Sequence, residues 1–188
     1  MPNPYMSPLL VDIADGSQIL NTTTETVMAP DFTFAAGDPR LYQGAAFELE
    51  CWFDVSNVVT TPGTVRFRVR WGGVAGVVLA DSGTIAMDII ARSNYSGSLR
   101  ALLVFRSIGS AGTAFCQGVV NLGNVPVGTA ADPQGIYMMG SAGENVPAVV
   151  GSLDTTTAKA LSVTAQFSVA TATTQITNHI RILRAVSS

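Results

Sequence analysis

Charge is scarce in this sequence. Only 12% of its 188 residues are Asp, Glu, Lys or Arg, against about 25% in an average soluble domain. Lys159 is its lone lysine and His179 its lone histidine. The net charge of −3 argues against a protein whose main task is neutralising nucleic-acid phosphates. No apolar run approaches the ~18 residues of a membrane span. The start, Met1 to Met6, has neither a basic region nor a continuous apolar core, so no signal peptide is expected. Neither nucleic acid nor membrane is therefore an expected partner. There are two cysteines, Cys51 and Cys116, each inside an apolar run and far apart in sequence. A single disulfide is conceivable, but two buried free thiols are the preferred reading, because free Cys behaves as a small hydrophobe. The spacing matches neither a metal knuckle nor a redox pair.

The shortage of His and Cys also thins the list of possible chemistries. A catalytic triad needs His beside an oriented nucleophile and a carboxylate, and catalytic metal sites want several His or Cys ligands. His179, between Asn178 and Ile180 on an expected strand, reads as a strand or interface histidine. Gly109-Ser110-Ala111-Gly112 lacks the strand-to-helix elbow of a hydrolase nucleophile. Gly72-Gly73-Val74-Ala75-Gly76 lies between strands, whereas a phosphate loop needs a helix N-terminus. Asp12, Asp15, Asp31 and Asp38 are scattered and form no calcium-loop pattern. No catalytic, cofactor-binding or metal-ligating residue is expected, no cofactor, and no enzyme.

What the chain does have is alternation of period two. Phe47, Leu49, Cys51 and Phe53 point one way, and Glu48, Glu50, Trp52 and Asp54 the other. Val65, Phe67, Val69 and Trp71 share a face opposite Thr64, Arg66, Arg68 and Arg70. Alternation of this kind marks half-buried strands. Further strands are expected at 74–80, 84–91, 99–107, 113–121, 159–169 and 174–184, rich in the Thr, Val, Ile and Phe that strands favour. Turn signals separate them: Thr61-Pro62-Gly63, Asp81-Ser82-Gly83, Ser96-Gly97, Ser110-Ala111-Gly112 and Asp132-Pro133-Gln134-Gly135. Short strands divided by such turns indicate an all-β sandwich or barrel. No amphipathic helix is legible beyond a short turn around 131–139.

Two further expectations concern charge and the N-terminus. If 48–54 and 66–70 form a hairpin, Glu50 falls beside Arg68, Glu48 beside Arg70 and Trp52 beside Arg66. The face would then neutralise itself and set register instead of forming a basic binding stripe. Residues 1–16 read as an extended, proline-rich arm, and 18–27 as a possible edge or partner-facing strand. Chain ends fray unless something holds them, so an ordered arm implies a neighbouring subunit. The division is an arm over 1–40 and one domain over 41–188.

The stretch from Thr64 through Trp71-Gly72-Gly73 to Leu79-Ala80-Asp81-Ser82-Gly83 resembles a segment of jelly-roll virion proteins of tailed bacteriophages. Asp154 to Ala170 and Thr174 to Leu183 resemble the closing strands of those domains, so the likeness covers about residues 41–186. It implies an antiparallel eight-stranded jelly-roll sandwich, commonly trimeric, used in capsid decoration (cement) proteins and in head or tail fibres. The chain shows no heptads and no internal repeat that would make a fibre shaft, so the cement role fits its layout better. Expected partners are other copies of the chain, as a homotrimer, and a major capsid protein, on the outer surface of the virion. The residues expected to make the contact are Pro2, Pro4, Tyr5, Met6, Leu9, Leu10, Val11 and Ile13. The competing reading is the glycan- or receptor-binding head of a fibre, which exposed aromatics such as Trp52, Tyr95 or Tyr137 clustered at one end would favour. An enzymatic depolymerase would need paired carboxylates in a groove, and Glu48 and Glu50 both have arginine partners in the expected hairpin.

Overall fold

A computed structural model describes residues 8–58, 61–123, 135–141 and 146–186. Among them the regular structure is all strand. In chain order the strands are β1 (Pro8–Val11), β2 (Ile19–Leu20), β3 (Thr26–Val27), β4 (Phe32–Phe34), β5 (Ala46–Asn57), β6 (Thr64–Trp71), β7 (Val77–Asp81), β8 (Ile85–Ala86), β9 (Arg92–Ser107), β10 (Gly112–Leu122), β11 (Ile136–Met139), β12 (Val149–Leu153), β13 (Lys159–Phe167) and β14 (Gln175–Ala185). They form two antiparallel sheets packed as a sandwich. The eight-stranded sheet runs β1-β14-β5-β9-β10-β11, with β2 also on β14 and β12 also on β10. The six-stranded sheet runs β3-β13-β6-β7, with β4 on β13 and β8 on β6.

The pairings are nested. The earliest strands, β1 and β2, pair with the last, β14. The next, β3 and β4, pair with the next to last, β13. Inside these, β5 pairs with β9, and innermost β6 pairs with β7. The strands β10 to β12 extend the eight-stranded sheet beyond β9.

The alternation read in β5 and β6 is observed, residue by residue. Phe47, Leu49, Cys51, Phe53 and Val55 are buried, as are Val65, Phe67, Val69 and Trp71. The two strands do not form a hairpin, however. Each belongs to a different sheet, and their apolar faces meet across the sandwich, where the Phe53 and Phe67 rings lie 5.1 Å apart. Placed in opposite sheets, the two strands bury their apolar faces against each other. The expected pairs Glu50 with Arg68, Glu48 with Arg70 and Trp52 with Arg66 are therefore not made. A knot of rings fills one end of the core: Phe34 contacts Phe47 and Trp71 at centroid distances of 5.1 and 5.5 Å, and Trp71 contacts Phe105 at 5.2 Å.

Other expectations need correction. Ser96-Gly97 is no turn but lies inside the long strand β9. Gly97 is there for space: a Cβ would sit 2.3 Å from the Phe53 ring. The expected turn around 131–139 is the strand β11 over Ile136–Met139, residues 131–134 lying outside those described. Within 84–91 only Ile85–Ala86 pair as a strand. Cys51 and Cys116 are buried free thiols.

The segment expected to be a free arm is part of the sandwich from Pro8 onward. Pro8 pairs with Arg184 and Val11 with Ile182, so β1 lies along the chain's own β14. Leu9 and Leu10 are half-buried against the core. Pro8–Val11 are thus paired within the chain's own sheet.

Candidate functional site

The outer face of the six-stranded sheet carries the three arginines of β6. Arg68 and Arg70 both reach Glu25, at 2.6 Å each, and Arg66 and Arg68 both reach Asp81, at 2.6 and 3.0 Å. The Thr164 hydroxyl donates to the same Glu25 carboxylate at 2.5 Å, and Arg68 also donates to Gln166. Burial opposes the charge on Glu25, but hydrogen bonds from Arg70 and Thr164 and the two guanidiniums outweigh it and hold its carboxyl below the usual range. Asp81 is lowered in the same way: burial resists, and Arg66, the Gly83 amide and Arg68 prevail. Self-neutralisation is thus observed, with partners other than those expected: Glu25 from the loop before β3 and Asp81 from β7. All three arginines are engaged within the chain, three guanidiniums against two carboxylates, which weakens the basic stripe as a ligand site.

The outer face of the eight-stranded sheet differs. Glu50, nearly buried, sits between Arg100 of β9 and Arg184 of β14. Burial raises its pKa, but the hydrogen bonds from Arg184 and Arg100 and their charges outweigh this, for a net decrease. Beside this cluster an apolar groove of about 350 Å³ opens over β9, β10 and β11, with Leu102, Val104, Phe115, Val119 and Met138 as its apolar lining and Glu48 and Arg100 among its polar residues. Leu102 is 48% exposed and Met138 43%. The register explains the alignment: Val104 lies opposite Phe115, and Val119 opposite Met138. Most outward positions of a one-sided sheet are polar; here several neighbouring ones are not. A concave apolar strip on an open sheet face is suited to receive another protein surface.

The expected contact residues fall into two groups. Pro2, Pro4, Tyr5 and Met6 lie outside the described residues. Leu9, Leu10, Val11 and Ile13 are on or just after β1, at the far side of the same sheet from the groove; Leu9 and Leu10 are half-buried, whereas Val11 and Ile13 are exposed, Ile13 at 98%. The groove residues were not singled out from the sequence. Their signal was present in the unbroken apolar run Ala101 to Phe105, where strict alternation lapses.

Trp52, Tyr95 and Tyr137 lie in neighbouring rows of the sheet but on opposite faces of it. Trp52 is exposed on the outer face, opposite Ile180 and Ser98. Tyr95 and Tyr137 pair with the inward Val55 and Val120 and pack against the core on the other face. His179 has carboxylates, not a nucleophile, at its nitrogens: Asp15 lies 2.9 Å from Nδ1 and Asp54 3.3 Å from Nε2. The thiols of Cys51 and Cys116 are pushed up to about 12 by burial, which removes the thiolate that cysteine chemistry requires. Among the described residues no group of three or more His, Cys, Asp or Glu is placed to hold a metal ion.

Comparison of the chain with protein families, curated proteins and solved structures finds no match.

Proposed function

We propose that the chain is a structural virion protein, a cement or decoration protein that stabilises the icosahedral shell of a tailed phage by binding between capsomers. The observation that carries this reading is the open apolar groove on the eight-stranded sheet. Such a surface is fitted to bury apolar area against another protein, at about 25 cal/mol per Å² before ordering costs are subtracted.

The finer fold supports the same reading. Pairing first with last, second with next to last, and so inward is the order of a long hairpin rolled into two Greek keys, the jelly roll, a fold shared by capsid and lectin domains. In that scheme β1/β2, β14, β5 and β9 make one four-position sheet and β3/β4, β13, β6 and β7 the other, with β10 to β12 as an insertion. Homotrimers would sit on the outer surface of the virion against the major capsid protein.

The competing reading, a glycan-binding fibre head, has one observation in its favour: Trp52 stands exposed beside Ser98 and Asn121 at a smaller hollow. Tyr95 and Tyr137 do not join it, which leaves a single aromatic platform.

The test is binding to empty capsids together with the copy number on intact particles. A cement protein is present in numbers close to those of the shell protein. Leu102→Glu and Met138→Glu, which put charge into the groove, are expected to weaken capsid binding by about tenfold or more while leaving the fold intact. Unchanged binding of both variants removes the groove from the interface. Absence from intact particles, or binding to a glycan array, removes the cement role.

A further inference from the structure

Residues 12–16 cross the flank of the sandwich beside β14 and are held there by two main-chain bonds. The Asp12 amide donates to the Arg181 carbonyl at 2.9 Å and the Gly16 amide to the Asn178 carbonyl at 2.8 Å. The seat is closely built. A Cβ on Gly16 would meet the Met28 carbonyl oxygen at 2.2 Å.

Between these two bonds β14 carries one residue too many. Asn178 faces Phe53 and Ile180 faces Trp52, so His179 is left out of the ladder with β5. A bulge of this kind re-aims a side chain. Here the imidazole is aimed into the gap between the crossing segment and β5, with Asp15 on one nitrogen and Asp54 on the other. The other charged pair here, Asp12 with Arg181 at 3.2 Å, lies on the inward side of β14, where Arg181 is buried opposite Cys51. Two carboxylates thus share one imidazole. The doubly protonated ring donates an N–H to each; the neutral ring has a single N–H and turns a lone pair toward the other carboxylate.

We propose that His179 is a pH-sensitive clamp that fastens residues 12–16 to β14 when its ring is doubly protonated and loosens them when it is neutral. The hydrogen bond with Asp15 is the largest influence on the ring and raises its pKa above the ordinary 6.5; partial burial opposes this and Asp54 adds to it. The clamp therefore contributes in full below 6.5 and is lost as pH rises through the higher value of the folded chain. The inference stands on this geometry and does not depend on the cement reading.

The experiment is an NMR titration of the full chain combined with amide hydrogen exchange. The His179 ring is expected to titrate above 6.5, and Asp15→Asn to bring it down. Protection factors of the Asp12 and Gly16 amides, corrected for intrinsic exchange, are expected to fall about threefold or more through the same midpoint, the size of effect expected of partly exposed charge pairs. Core amides such as Val69 should not change. In His179→Gln, a substitution at an exposed position, the Asp12 and Gly16 protection should be low and independent of pH. Protection in the unaltered chain that ignores pH, or a pH dependence that survives in His179→Gln, overturns the proposal. Gly16→Ala, which disturbs the seat without touching the titrating groups, should lower protection while keeping a His179 titration.

Discussion

Gly97 and the two cysteines show how much depends on single positions. The Phe53 ring occupies the volume that any side chain at position 97 would need. Gly97→Ala is expected to destabilise the fold by about 1–3 kcal/mol, the usual cost of overpacking a core, measurable as a lower denaturation midpoint in urea with an unchanged slope. Cys51 and Cys116 are buried free thiols with pKa values pushed up to about 12. Neither is expected to react with an aromatic disulfide reagent in the native protein at neutral pH, and both should react once the chain is unfolded. Rapid labelling of either without denaturant would contradict the burial described. The need for glycine at 97 does not depend on neighbours in sequence; it reflects what the opposite strand presents.

At the scale of elements, the outer face of the six-stranded sheet is joined through ions. Glu25 ties the loop before β3 to β6, and Asp81 ties β7 to β6. Both carboxyls titrate below their ordinary values of 4.5 and 3.8. A lowered folded-state value means that stability is fully present above the ordinary value and is lost as pH falls through the depressed one. These two carboxyls therefore leave the denaturation midpoint unchanged near neutrality and lower it below about pH 4. Glu25→Gln should be less stable than the parent at pH 7 by between about 1 kcal/mol, as for an exposed pair, and about 3 kcal/mol, as for a buried one. It should also show a shallower acid slope. A slope unchanged by the substitution would show that Glu25 is not among the groups responsible. The arginine row that makes this network was plain in the sequence as Arg66, Arg68 and Arg70. Its partners were not, because Glu25 reaches β6 over β13 and is separated from it by long stretches of chain.

At the scale of the whole molecule, nesting brings the two ends of the chain together. The earliest strands cover β14, the last one, so residues read as an arm close the flank of the sandwich from Pro8 onward. This shapes any truncation experiment. Removing residues 1–7 leaves β1 and its pairing with β14 in place and is the reference for a longer truncation. Removing 1–16 takes away Leu9, Leu10 and the Asp12 and Gly16 main-chain bonds to β14 and should lower the midpoint by several degrees. Equal midpoints for the two truncations would mean that β1 adds nothing to the fold. Capsid binding is best compared using the shorter deletion, which removes Pro2, Pro4, Tyr5 and Met6 and keeps β1.

By itself the sequence determined the class of fold and the inward faces. Period-two alternation in 47–53 and 64–71 assigns strands and buried side chains without reference to any partner, because a strand's two faces are a local property of its backbone. The scarcity of His, Cys and charge likewise narrowed the chemistry before any geometry was known. What only the tertiary structure decided was which strand lies beside which. The energy of pairing two strands depends on how many other faces their union buries, and that is a sum over the whole sandwich. It put β5 and β6 in opposite sheets, gave Glu50 to Arg100 and Arg184, and left Leu102, Phe115 and Met138 together on an open face.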